Sequence, residues 1–217
     1  MTFPVEFIVL STTKFGESRM VIHSLSRELG RRGLLVSVGK KTPASLFLPL
    51  NVLEGEVTEN PKSDLWGVKG LSALSPLQGI RGDIRKNTVT LFLSEVLFRA
   101  LPEGAVEDGL YEWCLKSIIT LDEMDSDWSN FPIRFLLELS TALGFSPSFD
   151  DIAPFAGENI AELEHLLSST FEESMLIPLS GARRSEISES LLRYIEFHSE
   201  RPLRVRSLDV LREIYKV

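Results

Sequence analysis

The chain has 217 residues, of which 43% are hydrophobic and 25% are charged, and its formal net charge is −8. This composition indicates a globular protein with enough apolar side chains for one large core or two smaller ones. The single cysteine, Cys114, excludes an internal disulfide and a zinc site built from several cysteines, which fits a reducing compartment.

The charge is distributed unevenly along the chain. Residues 1–100 hold 13 Lys and Arg against 9 Asp and Glu, a net charge of +4, whereas residues 101–217 hold 10 against 22, a net charge of −12. A basic region on an acidic protein concentrates positive potential where a polyanion can dock, while the acidic remainder discourages indiscriminate binding. No apolar run reaches the roughly 18 residues that span a bilayer, and the N-terminus lacks signal-peptide features, so we expect a cytoplasmic protein without a membrane partner.

The first part of the chain predicts short strands, because β-branched and aromatic residues alternate there with Gly and Pro. Gly30 and Gly33 are expected to mark one tight connection. Five strands in about 70 residues favour a small closed barrel, which leaves no exposed sheet edge. We expect an OB-fold barrel over residues 1–80, with an SH3-like barrel or a simple meander as alternatives. The predicted strands are Glu6–Lys14, Arg19–Leu29, Gly33–Gly39, Asn51–Thr58 and Asp64–Leu74.

After Gly82 the apolar spacing changes to three and four residues, which predicts an all-α domain over residues 81–217. Pro132 suits the first turn of a helix, and Gly144 supplies its end. Asn159 and Glu162 have the spacing of a capping box for a helix that runs to about Phe171. The other predicted helices are Asp83–Leu101, Val106–Leu121, Phe131–Leu143, one from Ser185 and one from Ser207.

Basic residues of the front half cluster around the predicted turns and at the start of the first helix. Turns at one end of a small barrel converge in space, so these side chains are candidates for a groove that follows a sugar-phosphate backbone, with Phe15 or Trp66 available to stack bases. The alternative is a solvated loop surface. The candidate DNA-binding residues are Lys14, Arg19, Arg31, Arg32, Lys40, Lys41, Arg81, Arg85 and Lys86.

Catalysis receives no support from the sequence. The acidic run at residues 122–127 lacks the Gly of a calcium loop, and a surface linker explains it more simply. The histidines occur in no metal-ligand spacing, and the chain contains no nucleophile elbow, Walker loop or dinucleotide fingerprint. We therefore expect no enzyme activity, no cofactor and no metal, and the rival hypothesis is a metal-dependent nuclease or phosphoesterase that uses residues 122–127.

One cation lies inside an apolar helical segment of the acidic half. Arg134 follows Phe131 closely and precedes Phe135, and a guanidinium offers a bidentate fork to a carboxylate beside a hydrophobic pocket. An internal salt bridge to one of the many local acids is the alternative. Arg204 and Arg206 stand directly before the last predicted helix.

Four segments occur in an order and spacing that resemble the RecO family of bacterial DNA repair proteins, and the likeness covers most of the chain. The first corresponds to the family's three opening strands, with Gly39-Lys40-Lys41 at its basic loop. The others correspond to a Glu-Leu-Leu helix, a helix that ends in Leu-Gly-Tyr/Phe, and a closing segment. In this chain they read FIVLSTTKFGESRMVIHSLSRELGRRGLLVSVGKK, SEVLFRAL, IRFLLELSTALGFSPSFD and RPLRVRSLDVLREIY.

The resemblance implies an N-terminal OB fold that binds single- and double-stranded DNA and anneals complementary strands. It also implies a helical domain that docks the acidic tail of single-stranded-DNA-binding protein and cooperates with RecR to load RecA. The family places a basic residue near that tail site at the position of Arg134. The candidate tail-binding residues are Arg134, Phe131, Phe135, Arg204 and Arg206.

Two departures from the family pattern alter these expectations. Many members hold zinc through four cysteines, but residues 145–185 contain none, so we expect the zinc site to be lost. The basic loop reads Lys-Lys-Thr-Pro instead of an arginine-rich run, which predicts fewer phosphate contacts. The resulting hypothesis is a non-enzymatic, monomeric recombination mediator, and its main alternative is a protein-interaction adaptor whose barrel does not bind DNA.

Overall fold

The front of the chain forms a closed barrel of five strands in the order β1-β2-β3-β5-β4. The computed structural model of the chain describes residues 1–39 and 42–215. The barrel confirms the expected OB-type architecture, followed as predicted by a helical region. The strands are β1 (Thr2–Phe15), β2 (Arg19–Ser26), β3 (Gly30–Ser37), β4 (Val52–Thr58) and β5 (Trp66–Ala73).

The barrel closes because β1 is long enough to pair with two neighbours. Residues 2–8 of β1 pair with β4, and residues 7–15 pair with β2, with a register shift between Val9 and Ser11. The final seam joins β3 to β5 in parallel and contains the pairs of residues 34–36 with residues 66–68. Beyond this short seam β3 and β5 are no longer paired, and the surface between them is open for a groove.

Gly30 and Gly33 do not bracket a turn, which corrects the sequence prediction. Both lie within β3, and the preceding turn occupies residues 27–29. A Cβ at Gly30 would lie 1.9 Å from the carbonyl oxygen of Ala105, and one at Gly33 would lie 2.7 Å from a side-chain carbon of Leu65. These glycines permit close approach of distant chain segments, a requirement that local sequence does not reveal.

The remaining chain is mostly helical, and two predicted helix starts were wrong. Gly109 adopts a positive φ of 77°, so the helix expected from Val106 begins only at Leu110. The helix expected from Ser185 begins at Gly181, because the side chain of Ser180 caps it. The helices are α1 (Gln78–Gly82), α2 (Ile84–Ala100), α3 (Leu110–Glu123), α4 (Phe131–Ala142), α5 (Phe149–Ala156), α6 (Ile160–Ser168), α7 (Phe171–Leu176), α8 (Gly181–Ser199) and α9 (Ser207–Tyr215).

The capping box predicted at Asn159 does not form. The side-chain oxygen of Asn159 accepts a hydrogen bond from Arg183 Nη1 at 2.9 Å and caps no helix. Helix α6 ends at Ser168, and a new helix starts after Thr170, which forms a capping box with Glu173. A long-range contact has therefore replaced the local one that the sequence spacing suggested.

Two apolar clusters hold the fold together. One fills the barrel, with Phe7, Leu34 and Leu53 almost fully buried. The other begins on the barrel at Ile8 and Leu10 and continues through α2 into the helical region. The division at residue 80 into two domains stays a prediction, since this second cluster includes residues from both sides of that boundary.

Cys114 lies in the second cluster and is fully buried. Burial raises the pKa of its thiol, so the side chain acts as a small apolar group in the core. Among the described residues, no helix combines the length and apolar character needed to cross a membrane.

Gly30→Ala should be much more destabilising than Gly16→Ala. Both glycines have positive φ, so alanine costs about 1–2 kcal/mol of backbone strain at either position. A Cβ at Gly16 meets nothing within 4 Å, whereas one at Gly30 collides with the backbone at Ala105. We expect Gly30→Ala to lose a further ~1–3 kcal/mol because two backbone segments must separate. Urea unfolding measures both variants, and equal losses would contradict the close approach.

Candidate nucleic-acid interface

A groove of about 620 Å³ opens on the barrel where the β3–β5 seam ends. Its two cations, Arg19 and Lys69, come from β2 and β5. Thr42 and Pro43, from the segment after β3, also line it. The groove therefore combines basic side chains with small polar and apolar surface, which suits a nucleic-acid backbone. Its described lining residues are Arg19, Leu35, Val36, Ser37, Thr42, Pro43, Leu46, Thr58, Gly67, Val68, Lys69, Gly70 and Leu71.

A β-bulge in β5 shapes the groove beside Lys69. The pairing with β4 shifts register between Glu54 and Glu56, and Gly70 adopts a φ of 66° at that point. Bulges bend and twist a strand and so redirect side chains. The Lys69 ammonium lies 3.1 Å from a carboxylate oxygen of Glu56, but both side chains are mostly exposed. Such a surface pair is weak, so a phosphate can compete for Lys69. Lys69 was not among the predicted DNA-binding residues, because nothing in the sequence distinguishes it from other lysines.

The turn between β1 and β2 places an aromatic ring next to the groove. Phe15 is 41% exposed, and the guanidinium of Arg19 lies 5.0 Å from the centre of its ring. Lys14 is exposed beside it. An exposed ring next to a cation can stack on a base while the cation contacts a phosphate. The structure thus brings Phe15 and Arg19 together, whereas the side chain of Lys14, paired with Met20, projects from the opposite face of the strand.

Lys40 and Lys41 lie outside the described residues. They immediately precede Thr42, which lines the groove. The backbone N–H of Gly39 donates to Thr42 Oγ1 at 3.2 Å, and the carbonyl of Gly39 accepts from the N–H of Thr42 at 3.0 Å. Gly39 and Thr42, the described residues on either side of the two lysines in sequence, are thus hydrogen-bonded to each other, and Thr42 lines the groove.

Arg31 is held at the boundary between the barrel and the helices. Its Nε donates to the carbonyl of Leu101 at 2.8 Å, and its guanidinium lies 5.1 Å from the ring centre of Phe98. The Glu103 carboxylate is 3.6 Å away. Burial lowers the pKa of Arg31. The structure gives this residue a structural environment and does not bring it to the groove.

Arg81 and Lys86 are also engaged inside the protein. Arg81 donates to Pro49 O, Asn51 Oδ1 and Asn87 Oδ1, each at 2.7 Å, and burial lowers its pKa. Lys86 is only 4% exposed, and its ammonium donates to the carbonyl oxygens of Asp122 and Met124. Neither cation is available to a phosphate in this arrangement.

Arg85 and Arg32 differ from these two. Arg85 is exposed at the start of α2 and remains free to contact an anion. Arg32 is half-buried with its guanidinium 4.4 Å from the ring centre of Trp66, and Phe3 meets the same ring edge-on. Trp66 is therefore covered by protein side chains, whereas Phe15 is the better exposed ring for base stacking.

The acidic run at residues 122–127 connects helices. The Asp122 carboxylate accepts from the backbone N–H of Ile80 at 2.7 Å, and its carbonyl accepts from Lys86. These bonds hold α1 and α2 against the end of α3. Within the described ranges, no group of three or more His, Cys, Asp or Glu side chains is arranged to hold a metal ion.

A second pocket, of about 300 Å³, lies among α3, α4 and α7 and contains Phe131 and Phe135. Arg134 is turned into internal bonds, since its Nε donates to Glu138 at 2.7 Å and its Nη1 donates to the carbonyl of Ser169 at 3.0 Å. The internal ion pair that was one alternative for Arg134 is therefore present. The pocket is lined by Trp113, Lys116, Ser117, Thr120, Phe131, Phe135, Glu138, Phe171 and Glu172.

Lys116 is the cation among the described residues that line this pocket, and it was not among the predicted tail-binding residues. It is exposed and forms no ion pair with the residues that the structure describes. In the sequence, the feature that could have indicated a role for Lys116 is its position as an isolated cation in an acidic stretch. Arg204 and Arg206 do not line the pocket: they are exposed before α9, where Ser207 donates to Glu95 of α2.

Comparisons with known proteins cover both the barrel and the helices. A family model described as "Recombination protein O C terminal" matches residues 81–153. The chain is 30% identical to the DNA repair protein RecO of Porphyromonas gingivalis, over 88% of this chain and 90% of that protein. It is 29% identical to the DNA repair protein RecO of Phocaeicola vulgatus, over 96% of this chain and 97% of that protein. It is 28% identical to the DNA repair protein RecO of Flavobacterium johnsoniae, over 99% of this chain and 100% of that protein.

Lys86→Met should destabilise the protein, whereas Arg85→Met, at an exposed neighbouring position, should change stability by less than about 0.5 kcal/mol. Methionine retains the aliphatic stem of Lys86 but leaves the carbonyls of Asp122 and Met124 without their donor. The expected loss is about 1–3 kcal/mol. Urea denaturation measures it, and a Lys86→Met midpoint equal to that of the unmodified protein would show that the ammonium is dispensable.

Proposed function

This chain belongs to the RecO family of DNA repair proteins, and on that premise we propose that it is a non-enzymatic mediator of DNA repair and recombination. In this proposal the barrel groove holds single- and double-stranded DNA, and the helical region recruits protein partners. The observation that carries the proposal is the groove itself, where Arg19 and Lys69 line one open surface beside an exposed Phe15.

DNA binding in the groove would be independent of base sequence. Arg19 and Lys69 offer charge to phosphates, and Phe15 offers a ring to any base. Neutralising phosphates releases counterions, so affinity falls steeply as salt rises. Lys14 and Arg85 extend the exposed positive charge, and Lys40 and Lys41 are the further candidates next to the groove in sequence.

Annealing needs no bond chemistry in this mechanism. Two complementary strands repel each other because every phosphate is charged, and a basic surface screens that repulsion. Holding both strands on one molecule also raises their effective concentration. Once the strands have paired, the duplex no longer depends on the protein for its stability.

The proposed partners follow the family resemblance. They are the acidic C-terminal tail of single-stranded-DNA-binding protein, RecR, and through them RecA, in the cytoplasm. The pocket among α3, α4 and α7 suits such a tail, because Phe131, Phe135 and Phe171 offer apolar contact and Lys116 offers a positive charge at the rim. Glu138 and Glu172 lie in the same pocket, so a peptide carboxylate is accepted only on the side of Lys116.

The competing function is a protein-interaction adaptor that does not bind DNA. It is favoured by the net charge of −8 and the sequence pI of about 5.0. In that case the groove would be a solvated surface. The pocket among α3, α4 and α7, here called the tail pocket, would carry the function. The two functions are separated by whether a labelled strand binds at low salt.

Arg19→Gln/Lys69→Gln should weaken binding of a fluorescent single strand at least about tenfold at low salt. Because this variant neutralises two fewer phosphates than the unmodified protein, the slope of log affinity against log salt concentration should become less steep by about 1.4. Fluorescence anisotropy at several salt concentrations measures both quantities. Lys40→Gln/Lys41→Gln tests in the same way the lysines that precede the groove.

The matched control is Lys116→Gln/Arg193→Gln, which removes the same charge from exposed positions on α3 and α8. It should leave DNA affinity within about twofold, because only local charge contacts the phosphates. An equal loss in both double variants would point to net charge alone. Absence of binding by the unmodified protein would favour the adaptor, and shortened DNA in the presence of magnesium would favour a nuclease.

Lys116→Gln should weaken the binding of a labelled peptide of three aspartates and a C-terminal phenylalanine by about tenfold, since a charge-assisted contact contributes about 1.5–3 kcal/mol. Glu138→Gln should strengthen the binding of this peptide, because a carboxylate is removed from the pocket. Peptide anisotropy measures both, and Lys62→Gln on the barrel is the control. If Lys116→Gln binds the peptide normally, the tail does not use this pocket.

A further inference from the structure

A third pocket, of about 240 Å³, lies where β1 and β4 meet the start of α3. It shares no lining residue with the DNA groove or the tail pocket. Three of its lining side chains are carboxylates and one is a guanidinium, so its character is acidic. The lining residues are Pro4, Val5, Glu6, Arg27, Glu28, Glu54 and Tyr111.

Two of the carboxylates face each other across a strand pair. Glu6 of β1 is directly opposite Glu54 of β4 in the antiparallel register. Like charges at such positions destabilise a sheet. Glu54 accepts a hydrogen bond from Ser72 at 2.7 Å, but neither carboxylate forms an ion pair with a described residue. Unrelieved repulsion at a barrel wall is a local conflict of the kind found at functional sites.

The other charged groups leave this repulsion in place. Glu28, in the turn before β3, adds a third carboxylate that has no ion-pair partner in the described ranges. Among the described lining residues Arg27 supplies the positive charge, but its Nε donates to Glu112, which does not line the pocket. The Arg27 charge is therefore already balanced, and the pocket retains a net negative charge.

Tyr111 forms part of the pocket's floor and is 2% exposed. Its hydroxyl has no hydrogen-bond partner among the described residues, and the Arg27 guanidinium lies 5.4 Å from its ring centre. Burial, reinforced by the Glu6 carboxylate, raises the pKa of Tyr111 to about 12, so the phenol is neutral at pH 7. The hydroxyl oxygen is itself buried. Its unused lone pairs can accept an N–H donor from a ligand once the group that covers it is displaced.

The spacing of the carboxylates selects the type of cation. Within the described ranges no three of them are grouped closely enough to hold a metal ion. A guanidinium or alkylammonium group instead carries several N–H donors that point in different directions, which matches separated carboxylates and a phenol oxygen. The guanidinium of Arg27, which is 58% exposed, lies over the Tyr111 ring, so a ligand that uses the phenol must displace it from that position.

We propose that this pocket binds the guanidinium or ammonium group of an organic cation, using Glu6, Glu28, Glu54 and the hydroxyl of Tyr111. The cation can be a basic side chain of a protein partner or a free polyamine, which share this chemistry. Its charge relieves the repulsion between Glu6 and Glu54. The site is independent of DNA binding, since phosphates are repelled by the same carboxylates.

The test is a titration of the full chain with N-acetylarginine amide and, separately, with spermidine. Protein labelled with ¹³C-tyrosine reports binding through the ring signals of Tyr111, which Tyr111→Phe assigns. We expect a saturable shift, and Glu6→Gln/Glu54→Gln should weaken the apparent affinity at least about tenfold. Glu158→Gln/Glu164→Gln removes the same charge from exposed positions and should leave the affinity unchanged.

Dependence on Glu6 and Glu54 with either probe supports the pocket, and the probe that saturates at the lower concentration identifies the source of the cation. A non-saturable shift, or one that is equal in both double variants, overturns the proposal and leaves only general charge screening. Thermal unfolding provides a second readout. Without ligand, Glu54→Gln should raise the midpoint temperature of unfolding, because it removes the repulsion from Glu6. In the unmodified protein N-acetylarginine amide should raise that midpoint further, and in Glu54→Gln it should not. If the ligand still raises the midpoint of Glu54→Gln, the proposal is overturned.

Discussion

The burial of helix α2 is the constraint on which the rest of the structure depends. Phe92, Val96 and Leu97 are at most 1% exposed, and buried residues occur on almost every turn of this helix. It contacts β1 of the barrel as well as α1, α4, α8 and α9. Because one helix supplies apolar surface to both regions, the barrel cannot move away without exposing that surface to water.

The same packing determines what the basic residues can do. Arg31, Arg81 and Lys86 lie at the boundary between the barrel and the helices, where a charge taken out of water requires hydrogen bonds in compensation. Main-chain carbonyls supply acceptors to all three. These cations therefore stabilise the boundary, whereas Arg19 and Lys69 remain exposed in the groove. The net charge of the front half indicates the sign of the field but not its location.

Local patterns predicted the fold well because the signals for strands and helices are local. Alternating apolar residues with glycine punctuation indicated five strands, and Pro132 indicated a helix start that the structure has. Gly30 was misread because its requirement comes from Ala105, which is distant in sequence. Asn159 was misread because Arg183 occupies its side chain.

The site was harder to predict than the fold, since its residues are brought together by closure of the barrel. Lys69 is an ordinary exposed lysine in the sequence, and only the bulge at Gly70 and the end of the β3–β5 seam place it in the groove. Arg134 looked isolated in an apolar helix, yet Glu138 lies one turn away and pairs with it. Charge patterns in the sequence therefore indicate basic and acidic regions, but they do not show which cations are exposed in the groove, such as Arg19, and which are bound inside the protein, such as Lys86.

The barrel presents charges of opposite sign on neighbouring strands, and their separation matters for DNA. Lys69 on β5 and Glu6 on β1 are separated by β4, so their backbones are roughly 10 Å apart. The Debye length at physiological salt is about 8 Å, so salt weakens the field of Glu6 before it reaches the groove, where the Glu56 carboxylate lies 3.1 Å from the Lys69 ammonium. Under the proposed function, the carboxylates on the β1–β4 side would repel a DNA strand that approaches there. DNA would then be directed to the groove by attraction there and by repulsion elsewhere, and this selectivity would weaken at low salt, where the two fields overlap.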